Sequence, residues 1–569
     1  MKIRFHPKLL DTLPGYDRGS MVADLSAGIT VGVLALPLAM AFAIASGMSP
    51  AAGIWTAIIA GLLISLLGGS KVQIGGPTGA FIPIVYAIVV EHGVANLLIA
   101  TMMSGVMLFA LGALRLGNMI RFIPLSVVIG FTNGIAVVIF LSQIKDFLGL
   151  DIAELPGEFF ARMSSLWEAL PTIDYPTVAT AASSLLILLL WNRYANRVSG
   201  LARLPGPLVA LLLVTLANII FELPVDTIGS RFNGIPQGWP TFSLPAIELG
   251  TLGKLIGPAI AIALLGAIES LLSARVADSL IDDRHSPNQE LIAQGLANIA
   301  APLFGGFAAT GAIARTATNI RSGGRTPVAG IIHAFTLLAI VLALAPLADH
   351  IPLATLSAIV VVVAINMGDW HAISPRVLQR YSMTYRTILL STFFVTVVFD
   401  LTLAVQLGMV LASLFFIYRM SDLTRIERVA LEVHYGAEQI LREDGSARIL
   451  AYRIFGSLFF GAANKLDNLL QMRDGHPDVV ILDLDRVISL DTTGLDILQT
   501  LNRNLRKRGA QLILCGLNAQ PASIVLRSGF AAQLGEENVV PALVDALLRA
   551  QWITEQQVGN EEPASGILA

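Results

Sequence analysis

Residues 257–280 read GPAIAIALLGAIESLLSARVADSL, an apolar helix with Glu269 and Ser270 at its middle. ELIAQGLANIAAPLF (290–304) predicts a second apolar helix. GGFAATGAIARTATNIRSGG (305–324) follows, a glycine-rich break opening into a short run that carries Arg315 near its start. Acids and arginines are costly at bilayer depth and rarely face lipid. Glycine-rich breaks are tolerated there only where they are buried in protein or line a cavity. The stretch therefore reads as one half of a membrane-embedded ion site.

The rest of the chain supplies the membrane. Its 569 residues are 55% hydrophobic and only 14% charged, with mean hydropathy +0.72; soluble domains carry about 25% charged residues. Apolar stretches of about twenty residues mean helices rather than a barrel. Spans are predicted at 24–47, 50–68, 95–113, 122–142, 176–191, 206–222, 327–346, 352–368, 384–400 and 401–420. GGPTGAFIPIVYAIVV (75–90) predicts a half-helix beginning near Thr78. With the opening stretch the total is about fourteen spans. Pro37 interrupts the first span and frees a carbonyl one turn earlier. Either a packing kink or a helix bent around a cavity fits it. The single cysteine, Cys515, excludes an intramolecular disulfide framework. The N-terminus lacks the apolar core of a secretory signal.

Charge orients the spans. Lys2, Arg4, Lys8 and Arg18, then Arg193, Arg197 and Arg203, then Arg376, Arg380 and Arg386, then Arg419, Arg425 and Arg428 fall on one side. The loop 143–175, with Asp146, Asp151, Glu154, Glu158, Glu168 and Asp174, falls on the other. The positive-inside rule places both termini in the cytoplasm. After Arg428 strands and helices alternate, which predicts a small α/β domain. The expected organisation is a cytoplasmic segment at 1–23, a transmembrane domain at 24–420, a linker at 421–447, the α/β domain at 448–552 and a disordered tail at 553–569.

The two halves share landmarks. Gly75–Gly76 precedes Thr78–Gly79–Ala80, as Gly305–Gly306 precedes Thr310–Gly311–Ala312; Ile123–Pro124–Leu125 is matched by Ile351–Pro352–Leu353. Inverted repeats with broken helices at their interface are common in secondary transporters. An odd number of spans per repeat, seven, requires the second repeat to be inverted. Aligning the two TGA runs brings Pro37 near Glu269.

In this arrangement the half-helix starts, Thr78, Gly79, Ala80 and Phe81 in one repeat and Thr310, Gly311, Ala312, Ile313 and Ala314 in the other, point unpaired N–H groups at one another. Two such ends form an anion site, and Arg315 adds a permanent charge. The expected ligand is an anion with several oxygens: carboxylate, sulfate or bicarbonate. Glu269 is the candidate proton-coupling group; a structural Glu269–Arg315 ion pair and a sodium site are the alternatives. Pro37, Phe42 and Ser270 are expected to line the cavity. His285 and His333 lack ligand spacing, so no metal or cofactor is expected. No Walker A motif is present, which argues against ATP-driven transport, and a transporter rather than an enzyme is expected.

DLSAGITVGVLALPLAMAFAIASG, GGPTGAF, LGAIESLLSARVADSL, ATGAIARTATNIRSGG and the late DTTG run together resemble the SulP family of anion transporters, over nearly the whole chain. The resemblance implies an all-α polytopic fold of seven plus seven inverted helices. Spans 1–4 and 8–11 would form the core and spans 5–7 and 12–14 the gate, with a cytoplasmic α/β STAS domain after them. It also implies a homodimer in the bacterial inner membrane and a STAS domain able to bind a cytoplasmic regulatory protein, with no nucleic-acid partner. GAIESLL, ELIAQGLANI and GAIAR are similar to the bacterial C4-dicarboxylate branch, which implies proton-coupled uptake of succinate or fumarate. Sulfate:proton symport and sodium-coupled bicarbonate transport are the alternatives, ahead of an uncoupled anion channel or a STAS-based sensor. Leu38 stands where plant and animal sulfate carriers usually have glutamine. Sodium–bicarbonate members tend to have aspartate at the Glu269 position and no arginine at that of Arg315, which favours protons. In the STAS-like run, Thr492 matches a residue phosphorylated in related soluble proteins, which makes it the candidate regulatory phosphosite; the favoured reading is that it caps its helix.

Overall fold

The computed structural model describes residues 5–118, 124–152, 155–194, 205–232, 234, 238–245, 250–399, 401–430, 448–459 and 477–561. Helix α1 (Lys8–Thr12) precedes α2 (Arg18–Ala45), which starts where Asp17 accepts from the Ser20 N–H at 2.8 Å. The first span thus begins ahead of Asp24. Asp24 is fully buried and accepts from the N–H groups of Arg325 and Thr326 and from the Thr326 hydroxyl, tying α2 to the other repeat. Helix α3 (Pro50–Leu67) opens on Pro50 behind the Ser49 cap, a residue order suited to a helix start.

Strand β1 (Gly75–Gly76) and a 3-10 turn at Gly79–Phe81 lead into α4 (Ile82–Ala113). The predicted half-helix and fourth span form this one element, broken at Gly93 (φ +81°, ψ 166°). Next come α5 (Leu125–Leu148), α6 (Phe159–Ala169), α7 (Tyr175–Tyr194), α8 (Gly206–Phe221) and α9 (Ile228–Phe232). The second half holds α10 (Leu252–Ile281), α11 (Pro287–Leu303), β2 (Thr310–Gly311), α12 (Ile313–Arg321), α13 (Val328–Ala348), α14 (Leu353–Met367), α15 (Pro375–Leu378), α16 (Met383–Val398) and α17 (Leu401–Leu423). With α4 counted on both sides of Gly93, the membrane segments among the described residues are seven in each half: α2, α3, α4 twice, α5, α7 and α8, then α10 to α14, α16 and α17. Helices α5 and α14 both open behind an extended proline, Pro124 and Pro352, as the repeat requires.

Packing sorts these helices into two sets. Helices α2, α3, α4, α10, α11 and α13 pack on one another, as do α5, α7, α8, α14 and α16. The first set matches the expected core and the second the gate. In the α4–α11 seam a Cβ at Gly105 would lie 2.7 Å from the Gly295 carbonyl oxygen, and one at Gly295 would lie 2.6 Å from that of Gly105. Lipid supplies no hydrophobic drive between helices, so such backbone approach and its dispersion energy hold the seam.

The second unit covers residues 411–569. Its strands are β3 (Arg425–Arg428), β4 (Ile449–Leu458), β5 (Val479–Asp483), β6 (Val487–Leu490), β7 (Gln511–Cys515) and β8 (Val539–Val540). They run in the order β3-β4-β5-β7-β8, with β6 also on β4; only β3 is antiparallel. Apolar clusters cover both faces, as parallel strands require. Two boundaries differ from expectation. Strand β3 lies inside the expected linker, because its backbone groups pair with β4. The last helix, Leu543–Glu561, runs into the stretch expected as a disordered tail, because Ile553 and Thr554 are buried. Of the strand–helix alternation expected after Arg428, the stretch ANKLDNLLQMR (463–473), which reads as one of its helices, lies outside the described residues, as do the linker from 431 to 447 and the tail from 562.

Candidate functional site

Two glycine-rich breaks build the site by crossing. Gly75 pairs with Gly311 and Gly76 with Thr310, antiparallel. The Ala312 N–H donates to the Ile74 carbonyl at 2.8 Å, the Ile74 N–H to Thr316 Oγ1 at 3.1 Å and Asn319 Nδ2 to the Val72 carbonyl at 2.8 Å. This ribbon satisfies backbone groups that an unwound segment would leave bare at bilayer depth. It brings the start of the turn at Gly79 and the start of α12 at Ile313 to one cavity.

That cavity has a volume of about 450 Å³. The core side contributes Leu38 and Phe42 of α2, Pro77 to Ala80, Ile268, Glu269 and Leu272 of α10, and Ala312 to Arg315. The gate side contributes Val128, Phe131, Thr132 and Ile135 of α5 with Val363, Asn366 and Met367 of α14. The walls are largely apolar and the polar groups few: Thr78 and Arg315 at the two helix starts, Glu269 in the middle of α10, and Thr132 and Asn366 on the gate side, the general plan of a small-ligand site.

The charged groups are held by the opposite repeat. Thr78 Oγ1 donates to Glu269 Oε2 at 2.7 Å. Arg315, 1% exposed, donates from Nη2 to the Pro77 carbonyl at 2.6 Å. Its Nη1 has no hydrogen-bond partner. No Glu269–Arg315 ion pair forms among the described residues, so that structural alternative is corrected. Arg315 instead passes beside Gly76, where a Cβ would lie 2.4 Å from Nη1.

Of the residues expected at the site, the structure gathers Phe42, Thr78, Gly79, Ala80, Glu269, Ala312, Ile313, Ala314 and Arg315 on the cavity. Pro37, Phe81, Ser270, Thr310 and Gly311 are adjacent but do not line it. Thr310 and Gly311 lie in β2, paired to β1, and the Thr310 hydroxyl donates to the Gly266 carbonyl at 3.0 Å. Ser270 is one residue past Glu269, about 100° round the helix, and its carbonyl accepts from Gln73 Nε2 at 3.3 Å. Pro37 precedes the lining residue Leu38 in the same way. Phe81 is fully buried near Gly266. The gate wall is the part that sequence reasoning missed. Thr132 and Asn366, polar residues in apolar spans, were its available signal.

His333 is fully buried on α13, with neither ring nitrogen hydrogen-bonded. In the second unit, Asp491 caps the helix Thr492–Lys507 by accepting from the Gly494 N–H at 2.7 Å. Thr492 is exposed in the first turn, so the capping role expected of it belongs to its neighbour.

Residues 21–384 match the sulfate permease family and residues 441–546 the STAS domain. The chain is 42% identical over 526 residues to the putative sulfate transporter YvdB of Bacillus subtilis, covering 92% of this chain and 97% of that one. It is 32% identical over 522 residues to the bicarbonate transporter BicA of Picosynechococcus, covering 87% and 89%. The fold matches that of the murine Solute Carrier 26 family member A9 anion transporter in its inward-facing state, with TM-score 0.84 at 20% identity, covering 96% and 94%.

Proposed function

The chain belongs to the sulfate permease family, with a STAS domain at its C-terminal end, and from that membership we propose a secondary active transporter that moves a small oxyanion through the central cavity with protons. The observation that carries this reading is convergence. Two helix starts, Arg315 and Glu269 meet on one cavity, although they come from both repeats. The helix starts and the unpartnered Nη1 of Arg315 offer N–H donors to an anion. Among the described residues Glu269 is the one carboxyl on that wall, and a proton carried there neutralises a charge that would otherwise repel the anion.

The expected dicarboxylate specificity finds no support in the two relatives above, which are named a putative sulfate transporter and a bicarbonate transporter. The proposed substrate is therefore a compact inorganic oxyanion, sulfate first and bicarbonate second. The protein acts in the bacterial inner membrane as a homodimer, with both termini cytoplasmic as the basic loops require. Thr492 remains a proposed phosphorylation site, since it is exposed at a helix start that favours added negative charge.

The test is a proteoliposome uptake panel of sulfate, bicarbonate, succinate and fumarate with inward proton or sodium gradients. Sulfate accumulation driven by the proton gradient is the expected result. Sodium-driven bicarbonate uptake, or uptake indifferent to both gradients, would overturn the coupling.

A further inference from the structure

A second cavity of about 620 Å³ adjoins the central one, and the two share Val128, Ile268 and Leu272 as a common wall. The second cavity carries Arg275. Arg275 follows Glu269 by six residues on α10, about 9 Å further along the axis at ~1.5 Å per residue. It is exposed. Among the described residues its guanidinium has no ion pair or hydrogen bond, unlike that of Arg315.

The neighbouring acids are already engaged. Asp278 accepts from the His285 N–H at 3.1 Å and lies 2.6 Å from His285 Nδ1. Asp283 lies 3.4 Å from Lys8 Nζ and 3.2 Å from Lys71 Nζ. Lys8 Nζ also donates to the carbonyl of Arg284, a lining residue, at 3.3 Å, so this end of the cavity lies on the face where the N-terminal segment sits. Arg284 lines the same cavity and adds a second cation.

We propose that Arg275 forms a second anion-binding position, a staging site on the path between the central cavity and the N-terminal face of the membrane. This rests on the transport reading above. An oxyanion leaving the central site loses the helix-start donors and Arg315 before it reaches water. Arg275 offers a planar fork that two oxygens can share. Its exposure keeps the hold weak and salt-screened, which suits release as well as capture. The cavity walls around Arg275 and Arg284 also focus the field of these two cations along the path. Arg275 therefore governs affinity from one face only.

Arg275→Gln and Arg275→Lys in the full chain test this, with sulfate as probe and vesicles of both orientations. At low ionic strength Arg275→Gln is expected to raise KM for sulfate presented at the N-terminal face by roughly three- to tenfold, with little change from the opposite face. Lysine restores most of the loss, and high salt removes the difference. Equal KM changes on both faces, or none, overturn the proposal. An effect confined to anionic-lipid vesicles also overturns it, because the guanidinium then binds lipid headgroups.

A second measurement does not depend on transport. Leu272→Cys, on the wall shared by both cavities, is modified with an anionic and a cationic thiol reagent of like size. The anionic-to-cationic rate ratio is expected to fall severalfold when Arg275→Gln is added, and sulfate is expected to slow the anionic reagent in the Arg275 background. An unchanged ratio overturns the proposal. If no anion of the panel is transported, the functional reading fails while this ratio still decides the site.

Discussion

Thr78 and Glu269 meet across the repeat boundary, hydroxyl to carboxylate at 2.7 Å. The bond joins the broken stretch of the first repeat to the long α10 of the second. Glutamine at position 269 keeps the shape and the acceptor oxygen but cannot cycle a proton. Glu269→Gln is therefore expected to transport without response to an imposed pH gradient while still binding the anion. Full proton-driven accumulation by this variant would refute the coupling role.

Thr78→Val removes the donor and leaves the carboxyl in an apolar cavity without its hydrogen bond. Hydrogen bonds to charged groups contribute about 1.5–3 kcal/mol, so a loss in kcat/KM of at least about tenfold is expected. Thr78→Ser should recover most of it. Uptake kinetics of the two variants, side by side, separate the hydroxyl from the methyl.

Gly76 faces the Arg315 guanidinium at φ +148°, a conformation that side chains rarely adopt. Gly76→Ala would put a methyl 2.4 Å from Nη1. The guanidinium must move, and anion transport should be lost while the protein still inserts and purifies. Normal sulfate uptake by Gly76→Ala would mean that the position of Arg315 is not critical.

Gly295→Ala tests the seam between α4 and α11. Overpacking costs about 1–3 kcal/mol, and here the obstacle is a carbonyl at 2.6 Å rather than a flexible side chain. A lowered midpoint in thermal aggregation of the detergent-solubilised protein is expected. An unchanged midpoint would show that the helices can part at no cost.

Outside the membrane, Cys515 ends β7 fully buried, and burial, with Asp483 nearby, pushes its thiol up to about 12. The thiolate is the reactive form. At pH 8 the folded protein is expected to resist alkylation, and one equivalent should react on unfolding. Because the folded group remains a thiol throughout that range, raising the pH from 7 to 9 should not open it. Rapid modification of the native chain would contradict the placement.

Much of this molecule is legible in its sequence. The rare acid of 266–272 and the glycine-rich break before Arg315 identify a membrane-embedded site, because charge and unwound backbone are too costly at bilayer depth to be incidental. The paired TGA and IPL runs give the repeat, and strand–helix alternation after Arg428 gives the soluble domain. Tertiary structure alone decided which groups touch. Local spacing leaves a Glu269–Arg315 pair as plausible as any other arrangement. The crossing of β1 and β2 instead hands Arg315 to Pro77 and Glu269 to Thr78, since each unwound stretch exposes backbone or hydroxyl groups that need partners from the other repeat. Past the IPL runs that open them, α5 and α14 carry no site motif, only the isolated polar residues Thr132 and Asn366. This gate wall becomes part of the site only when two distant, mostly apolar helices pack opposite the break, a relationship that no single stretch of chain encodes.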